Sequence, residues 1–297
     1  MLWRCRERAF DLGERTLVMG VVNVTPDSFS DGGRFLEPPA AIAHARRLIA
    51  EGAEVIDLGA ESTRPGAAPV PAEEQLRRLL PVLEALAEEK GVCLSVDTAN
   101  AAVAARGLEA GASVVNDVTA LGDPAMAPTV VAARAGIVLM HMRGTPRTMQ
   151  ADPHYADAAR EVSEWLAARL ESARRQGLEP ERIALDPGIG FGKSPRHNFE
   201  LLARLDELAR HGRPLLVGLS RKSFLGRQPP AWGVGEPRPD LPPDQRLEGG
   251  LAAAAIAVFL GARIVRTHDV AATLRAVRIA DRLRAARRDR VETRDPV

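Results

Sequence analysis

Short aliphatic runs recur along this chain, and each ends in one or two polar residues before a turn and a helix-like segment. The runs read VMGVVNVTPDSFSDGG, VIDLGAESTRPGA, LSVDT, VVNDV, IVLMHMRG, IALDPGIGFGK, LLVGLSRKSF and IVRTHDV. Strands covered on both faces read as nearly continuous apolar runs. Alternation of such strands with helices implies a parallel sheet. Eight repeats predict an α/β chain closed into a (β/α)8 TIM barrel, a fold of about 250 residues that fits within 297.

The expected strands are Leu17 to Val24, Val55 to Leu58, Val92 to Val96, Ser113 to Asn116, Ile137 to Met140, Ile183 to Leu185, Leu215 to Gly218 and Ala262 to Arg266. A helix follows Pro38-Pro39, with apolar residues at helical spacing and Gly52 as its stop. The next begins at Pro71, and Pro81 within it implies a kink or a break. Asp97 or Thr98 is expected to cap the helix after that. The longest helical pattern runs from about Tyr155 to Gln176, and others cover Pro243 through Leu260 and roughly Val270 to Ala286. The first dozen residues read as a short hairpin or arm. Residues 227 to 243, rich in Pro and Gly, read as an irregular loop near the active face. The reading is one domain over 1–297, with the barrel at about 17–286 and a charged tail at 287–297.

Composition mainly excludes. No run approaches the roughly 20 apolar residues of a membrane helix. MLWRCRERAF lacks an apolar segment of secretory length, so the expected location is cytoplasmic. A formal net charge of +1 gives no overall basic field for nucleic acid. Cys5 and Cys93 lack metal-ligand spacing, and nothing argues for a disulfide between them. No GxGxxG follows the first strand, and no HExxH or GxSxG is present.

Barrel enzymes assemble their sites at the C-terminal strand ends. That rule gathers Asn23, Thr63, Arg64, Asp97, Asn116, Asp186, Lys222, Arg266 and His268 around one pocket. Asp97, Asn116 and Asp186 suit a flat heterocycle carrying both donors and acceptors, since a buried carboxylate binds a guanidine-like edge through charge-assisted hydrogen bonds. Each of the three alone is equally readable as a helix cap or turn former. Asn23 offers a neutral oxygen suited to a Mg²⁺ that mainly binds substrate phosphates and water. Arg64 with Thr63, the SRKS segment with Lys222, which is expected to open a helix, and Arg266 with His268 form three basic clusters that favour an anionic substrate. Singly, any of these arginines reads as a surface residue.

The motifs GVVNVTPDSFSDGGRF, GAEVIDLGAESTRPGA, DPGIGFGK, GLSRKSFLG and RTHDV together resemble the dihydropteroate synthase family, a pterin-binding barrel group, from about Leu17 to Leu283. The resemblance departs at Thr267, where the family often has Val, and no counterpart is assigned to 227–243. It implies condensation of 6-hydroxymethyl-7,8-dihydropterin diphosphate with 4-aminobenzoate, giving 7,8-dihydropteroate and diphosphate in folate biosynthesis. It also implies Mg²⁺ on Asn23, a homodimer and sulfonamide targeting. Carried over by residue, Asp97, Asn116, Asp186 and Lys222 read the pterin, Arg266 stacks on its face, and Met140 and Phe191 line the slot. Thr63, Arg64, Arg266, Thr267 and His268 serve the diphosphate. Phe29, Arg64, Pro65, Lys222 and Ser223 make the 4-aminobenzoate pocket. The catalytic set is Asp31, Arg64, Asp97, Lys222 and His268, with diphosphate leaving before the amine attacks. Two other readings remain open at this point. One is a methyltetrahydrofolate–corrinoid methyltransferase of the same superfamily, which has no need of the diphosphate and 4-aminobenzoate loops. The other is a pterin-binding paralogue without synthase activity, which would be marked by loss of Asn23, Arg64, Lys222 or Arg266.

Overall fold

A computed structural model of the chain describes residues 1–25, 38–61, 67–227 and 240–292. In chain order the elements are β1 (Leu2–Cys5), β2 (Arg8–Asp11), β3 (Leu17–Asn23), α1 (Pro38–Ala50), β4 (Val55–Gly59), α2 (Ala72–Leu86) and β5 (Cys93–Asp97). Then come α3 (Ala101–Glu109), β6 (Val114–Asp117), α4 (Met126–Ala133), β7 (Gly136–Met140), α5 (Ala158–Arg175) and β8 (Ile183–Asp186). The last are α6 (Pro195–Ala203), α7 (Leu205–Ala209), β9 (Leu216–Gly218), α8 (Leu247–Phe259), β10 (Ile264–Thr267) and α9 (Val270–Glu292).

The eight-stranded sheet runs β8-β7-β6-β5-β4-β3-β10-β9, with every pair parallel. A bridge from Leu185 to Leu215, just before β9, brings its two edges together, and Leu185 N donates to Pro214 O at 2.9 Å. The result is the expected (β/α)8 barrel. Closure removes the exposed sheet edges that invite pairing with other chains. Both strand faces are covered, so β4 and β7 are buried throughout.

Two apolar layers hold the barrel. One lies between strands and helices and includes Leu79, Val82, Leu83 and Leu86 of α2 at helical spacing. The other fills the lower interior, where Met19, Val55, Cys93 and Val138 meet Trp3 and Cys5 of the β1–β2 hairpin. The hairpin therefore plugs the N-terminal mouth. Trp3 Nε1 donates to Arg182 O at 3.1 Å, and Arg6 N to Arg134 O at 3.0 Å. Cys5 and Cys93 are both buried and both remain thiols. Closing the floor leaves the opposite mouth as the place for a ligand.

Several elements differ from the sequence expectation. α2 runs unbroken through Pro81, which is exposed; on a solvent-facing side an unpaired carbonyl can tilt toward water. Asn100, not Asp97 or Thr98, caps α3, its side chain accepting from Ala102 N and Val103 N; Asp97 still belongs to β5. The longest helix is the 23-residue α9, not the 18-residue α5, and it continues past Ala286 to Glu292. Lys222 precedes a 3₁₀ turn of four residues, Ser223–Gly226, rather than a helix. Ahead of α8 a 3₁₀ turn, Pro243–Gln245, stands where one continuous helix was expected. The base of the Pro-rich loop is tied by Arg227 Nε to Asp240 Oδ2 at 2.8 Å. Among the described residues, no helix is long and apolar enough to cross a membrane.

Candidate active site

Strand register sets the site. Asn23 pairs with Gly59, Gly59 with Asp97, and Asp97 with Asn116, so the ends of β3, β4, β5 and β6 share one rung. Met140 pairs with Asp186 across β7 and β8. Gly59 leaves that rung open: a Cβ there would stand 3.4 Å from the Asp97 Cβ. Above the rung lies a cavity with about 480 Å³ of empty space, open to solvent. Asp97, Asn116, Met140, Asp186, Phe191, Lys222, Arg266 and His268 all line it. Eight of the residues singled out from sequence are thus brought to one place by the C-terminal ends and following loops of six strands.

Charge is concentrated there. Arg266, from β10, donates through Nε to Asp57 Oδ2 at 2.6 Å and through Nη2 to Asp97 Oδ2 at 2.7 Å. Burial opposes the Arg266 charge, but these two carboxylates outweigh it and hold its pKa above the ordinary value. Burial pushes Asp97 up to about 7, with the Arg266 charge pulling the other way and Asp57, Asp117 and Glu61 adding to the rise. Asp186 is likewise pushed up by burial, against the nearby Lys222 charge. Lys222 is pushed down to about 8 by burial, against the pull of Asp186. The site therefore holds groups whose charge states are all costly to bury and are balanced only by one another.

The loop after β8 shapes one wall. Asp186 Oδ1 accepts from Gly188 N at 2.7 Å. Gly188 has φ +65°, and a Cβ there would stand 1.8 Å from the His141 carbonyl oxygen, so only glycine fits. Lys222 donates to the Ile189 carbonyl and sits 4.5 Å from the centre of the Phe191 ring. Beneath this loop, Lys193 is 2% exposed. Its Nζ donates to Gly188 O at 2.9 Å and Phe191 O at 3.0 Å, and lies 2.9 Å from His141 Nδ1. Burial pushes the Lys193 pKa well down, against the pull of Asp186. On the other side, His268 Nδ1 lies 3.1 Å from Ser220 Oγ, which reaches Asp269 Oδ2 at 3.3 Å.

Not every expected residue faces this cavity. Thr267 is the correction: its hydroxyl pairs with Thr273 of α9 at 2.9 Å and accepts from Asp269 N at 3.1 Å. Strand alternation explains it, since Arg266 points into the barrel and its neighbour must point out. The Thr267 hydroxyl is therefore spent on α9 rather than on a diphosphate. Ser223 is exposed at the first position of its 3₁₀ turn. Phe29, Asp31, Thr63, Arg64 and Pro65 lie outside the described residues. Glu61, just before the second of those loops, accepts from Val70 N at 3.2 Å and from Gln75 Nε2 at 3.3 Å.

Among the described residues no three His, Cys, Asp or Glu side chains group as a metal site. Asn23, half-buried at the end of β3, is a single neutral oxygen donor. That donor set fits a Mg²⁺ whose other ligands are phosphate oxygens and water. Asp57, Lys193 and His141 were not singled out from sequence. For Asp57 and His141 the signal was a charged or polar residue inside an apolar run, which is costly unless paired; Lys193 follows the glycine-rich GIGFG and carries no such signal.

The fold and this pocket define a pterin-binding barrel enzyme: the family model described as "Pterin binding enzyme" matches residues 19–268. A dihydropteroate synthase of Synechocystis is 45% identical over 275 residues, covering 92% of each chain. The structure of the Yersinia pestis dihydropteroate synthase with a sulfonamide drug superposes with a TM-score of 0.87 at 42% identity, over 96% of this chain and 100% of that one. The Xanthomonas albilineans dihydropteroate synthase in complex with 7,8-dihydropteroate gives a TM-score of 0.81 at 41% identity, over 96% and 99%. The chain belongs to the dihydropteroate synthase family of pterin-binding enzymes.

Proposed function

We propose that this pocket joins 6-hydroxymethyl-7,8-dihydropterin diphosphate to 4-aminobenzoate, forming 7,8-dihydropteroate and diphosphate. The observation that carries the reading is the mixed ring at the barrel mouth: acceptors Asp97, Asn116 and Asp186 and donors Lys222 and Arg266 line one cavity. A pterin ring offers amino, ring N–H and carbonyl groups along one edge and needs such a mixture. The Yersinia pestis and Xanthomonas albilineans complexes support this assignment for members of the family, and sulfonamide sensitivity is expected with it.

In this reading Asp186 and Asn116 bind the heterocycle edge, with Asp97 and Lys222 completing the ring. Arg266 lies against the pterin face, and Met140 and Phe191 close the slot. His268 and Arg266 face the diphosphate, together with Thr63 and Arg64. Ser223 and Lys222, with Phe29 and Pro65, receive 4-aminobenzoate. Asn23 would hold a Mg²⁺, which would supply charge neutralisation for the departing diphosphate. The carbon–oxygen bond breaks first and diphosphate leaves with the electron pair. The pterin ring spreads the positive charge of its exocyclic methylene, and the Asp97 and Asp31 carboxylates stabilise it. The amine lone pair then forms the carbon–nitrogen bond and the nitrogen loses a proton to water. No covalent enzyme intermediate is required. Diphosphate release by the purified protein, measured with and without 4-aminobenzoate, tests this. Release that rises with 4-aminobenzoate and matches dihydropteroate formed is the expected result; pterin diphosphate bound with no product would sink it and favour the inactive paralogue.

We also assign the active form as a cytoplasmic homodimer. α8 and α9 pack on one another and expose Ile256, Ile279 and Leu283, each more than half exposed. Exposed large aliphatic side chains on two packed helices support an association face there. Sedimentation is expected to give twice the 31.9 kDa chain mass, and Ile279→Glu with Leu283→Glu to give the monomer. A wild-type chain that sediments as a monomer would remove the assignment.

A further inference from the structure

Asp57 lies in the middle of β4, two residues below the rung that carries Asp97, and is 0% exposed. It does not line the cavity. Its Oδ2 nonetheless accepts two hydrogen bonds from residues that do. Arg266 Nε is at 2.6 Å and Asn116 Nδ2 at 3.0 Å. These contacts link β4 to β10 and to β6, the strand beyond its neighbour β5.

The Asn116 contact has a consequence for ligand chemistry. An ionised carboxylate only accepts hydrogen bonds. The Asn116 atom turned to Asp57 must therefore be the nitrogen. Turned the other way, the amide would set its oxygen against a buried carboxylate oxygen, an acceptor against an acceptor, and leave the amide oxygen unsatisfied there. Asn116 is 4% exposed, so water cannot relieve that clash. The amide oxygen and the second N–H then remain for a molecule in the cavity. The same carboxylate fixes the Arg266 guanidinium, whose other arm is held by Asp97 at 2.7 Å. Two carboxylates on adjacent strands thus set the plane of one guanidinium.

We propose that Asp57 is a positioning residue that sets the hydrogen-bonding polarity of the pterin pocket, holding the Asn116 nitrogen inward and the Arg266 guanidinium in one plane so that the amide oxygen is aimed at the pterin. The inference rests on the pterin reading above and deepens it. Asp57 never touches the substrate. It selects which edge of a heterocycle Asn116 accepts: one that offers a donor there.

A double-mutant cycle tests it. Titration of the wild-type protein with 6-hydroxymethyl-7,8-dihydropterin diphosphate comes first; failure to bind would overturn the pterin reading and this inference with it. In a binding-competent protein, Asp57→Asn is expected to weaken pterin diphosphate at least about 10-fold, the worth of a hydrogen bond to a charged group. The KM for 4-aminobenzoate is expected to stay within about 2-fold, because only the pterin side loses its positioning. Asn116→Ala is expected to cost about 10-fold in the wild type but under about 2-fold in the Asp57→Asn background, since the amide there is already unaligned. Equal Asn116→Ala penalties in both backgrounds would overturn the proposal, as would a fall in kcat alone with both KM values unchanged. The swap Asp57→Asn with Asn116→Asp decides the matter if the single variant does not fold. It keeps the net charge and a hydrogen bond between the two positions but reverses the bond's direction. A folded swap that still binds weakly supports the proposal, and one that binds as tightly as wild type overturns it.

Discussion

Replacing Asp186 by alanine is expected to weaken 6-hydroxymethyl-7,8-dihydropterin diphosphate by two orders of magnitude or more. Hydrogen bonds to a charged group are worth about 1.5–3 kcal/mol each. A carboxylate that takes two from one heterocycle edge therefore accounts for about 3–6 kcal/mol of affinity. Asp186 is positioned for that. It ends β8, lines the cavity, and uses Oδ1 on Gly188 N at 2.7 Å, which fixes the direction of the whole group. Asp186→Asn separates charge from shape: the amide oxygen can still accept from Gly188 N, but one of its two ligand-facing acceptors becomes a donor. It should bind less than wild type and more than alanine. Stability should move the other way. Burial pushes the Asp186 pKa up, so its ionised form is held at a cost in the folded state. The asparagine variant is expected to melt at the same or a higher temperature. Calorimetric titration and thermal melts of the same preparations check both parts. A variant that binds normally, or one that loses binding only in proportion to a lower Tm, would remove Asp186 from the pterin edge.

Asp186, Asp97 and Asn116 were legible because each is a polar residue at the end of an aliphatic run, and a barrel gives strand ends a common address. The motifs shared with the family made the same residues legible a second way. Asp57 was harder. It sits two places before the end of VIDLG, where an interior residue and an outward one look alike because a strand in a closed, helix-covered barrel is buried on both faces. The register of β4 against β5 and the reach of Arg266 across the barrel decide its role, and neither is a local property. Thr267 failed for the complementary reason. Its neighbours Arg266 and His268 line the cavity, but the two-residue period of a strand sends the residue between them to α9. α6 and α7 were unannounced because the run after DPGIGFGK is short and charged, and Pro195 opens α6 behind the Ser194 cap. The α2 helix shows the reverse limit, where Pro81 signalled a break that an exposed face tolerates.

Arg266→Leu is the substitution expected to cost the fold most. The guanidinium neutralises two carboxylates at once, Asp57 at 2.6 Å and Asp97 at 2.7 Å. Removing one partner of a buried ion pair strands the other in a poor solvent and costs about 3–5 kcal/mol. The loss should depend on pH, and its sign is set by Asp97. Burial already holds that carboxyl at about 7, against the downward pull of Arg266. Without Arg266 it rises further above its unfolded value. A folded carboxyl with a raised pKa binds its proton more tightly than the unfolded chain does, so stability falls as pH rises from the unfolded value through the folded one. The penalty of Arg266→Leu is therefore expected to be greatest above about pH 7 and to shrink toward about pH 5, where Asp97 is neutral and needs no partner. Adding Asp97→Asn should recover part of the loss at neutral pH and little at acid pH, because it removes the charge that Arg266 had balanced. Urea unfolding of the single and double variants across that range measures both effects. A penalty independent of pH would mean that Arg266 holds the barrel mouth by packing alone, and a penalty that grows toward acid would place Asp97 outside the balance.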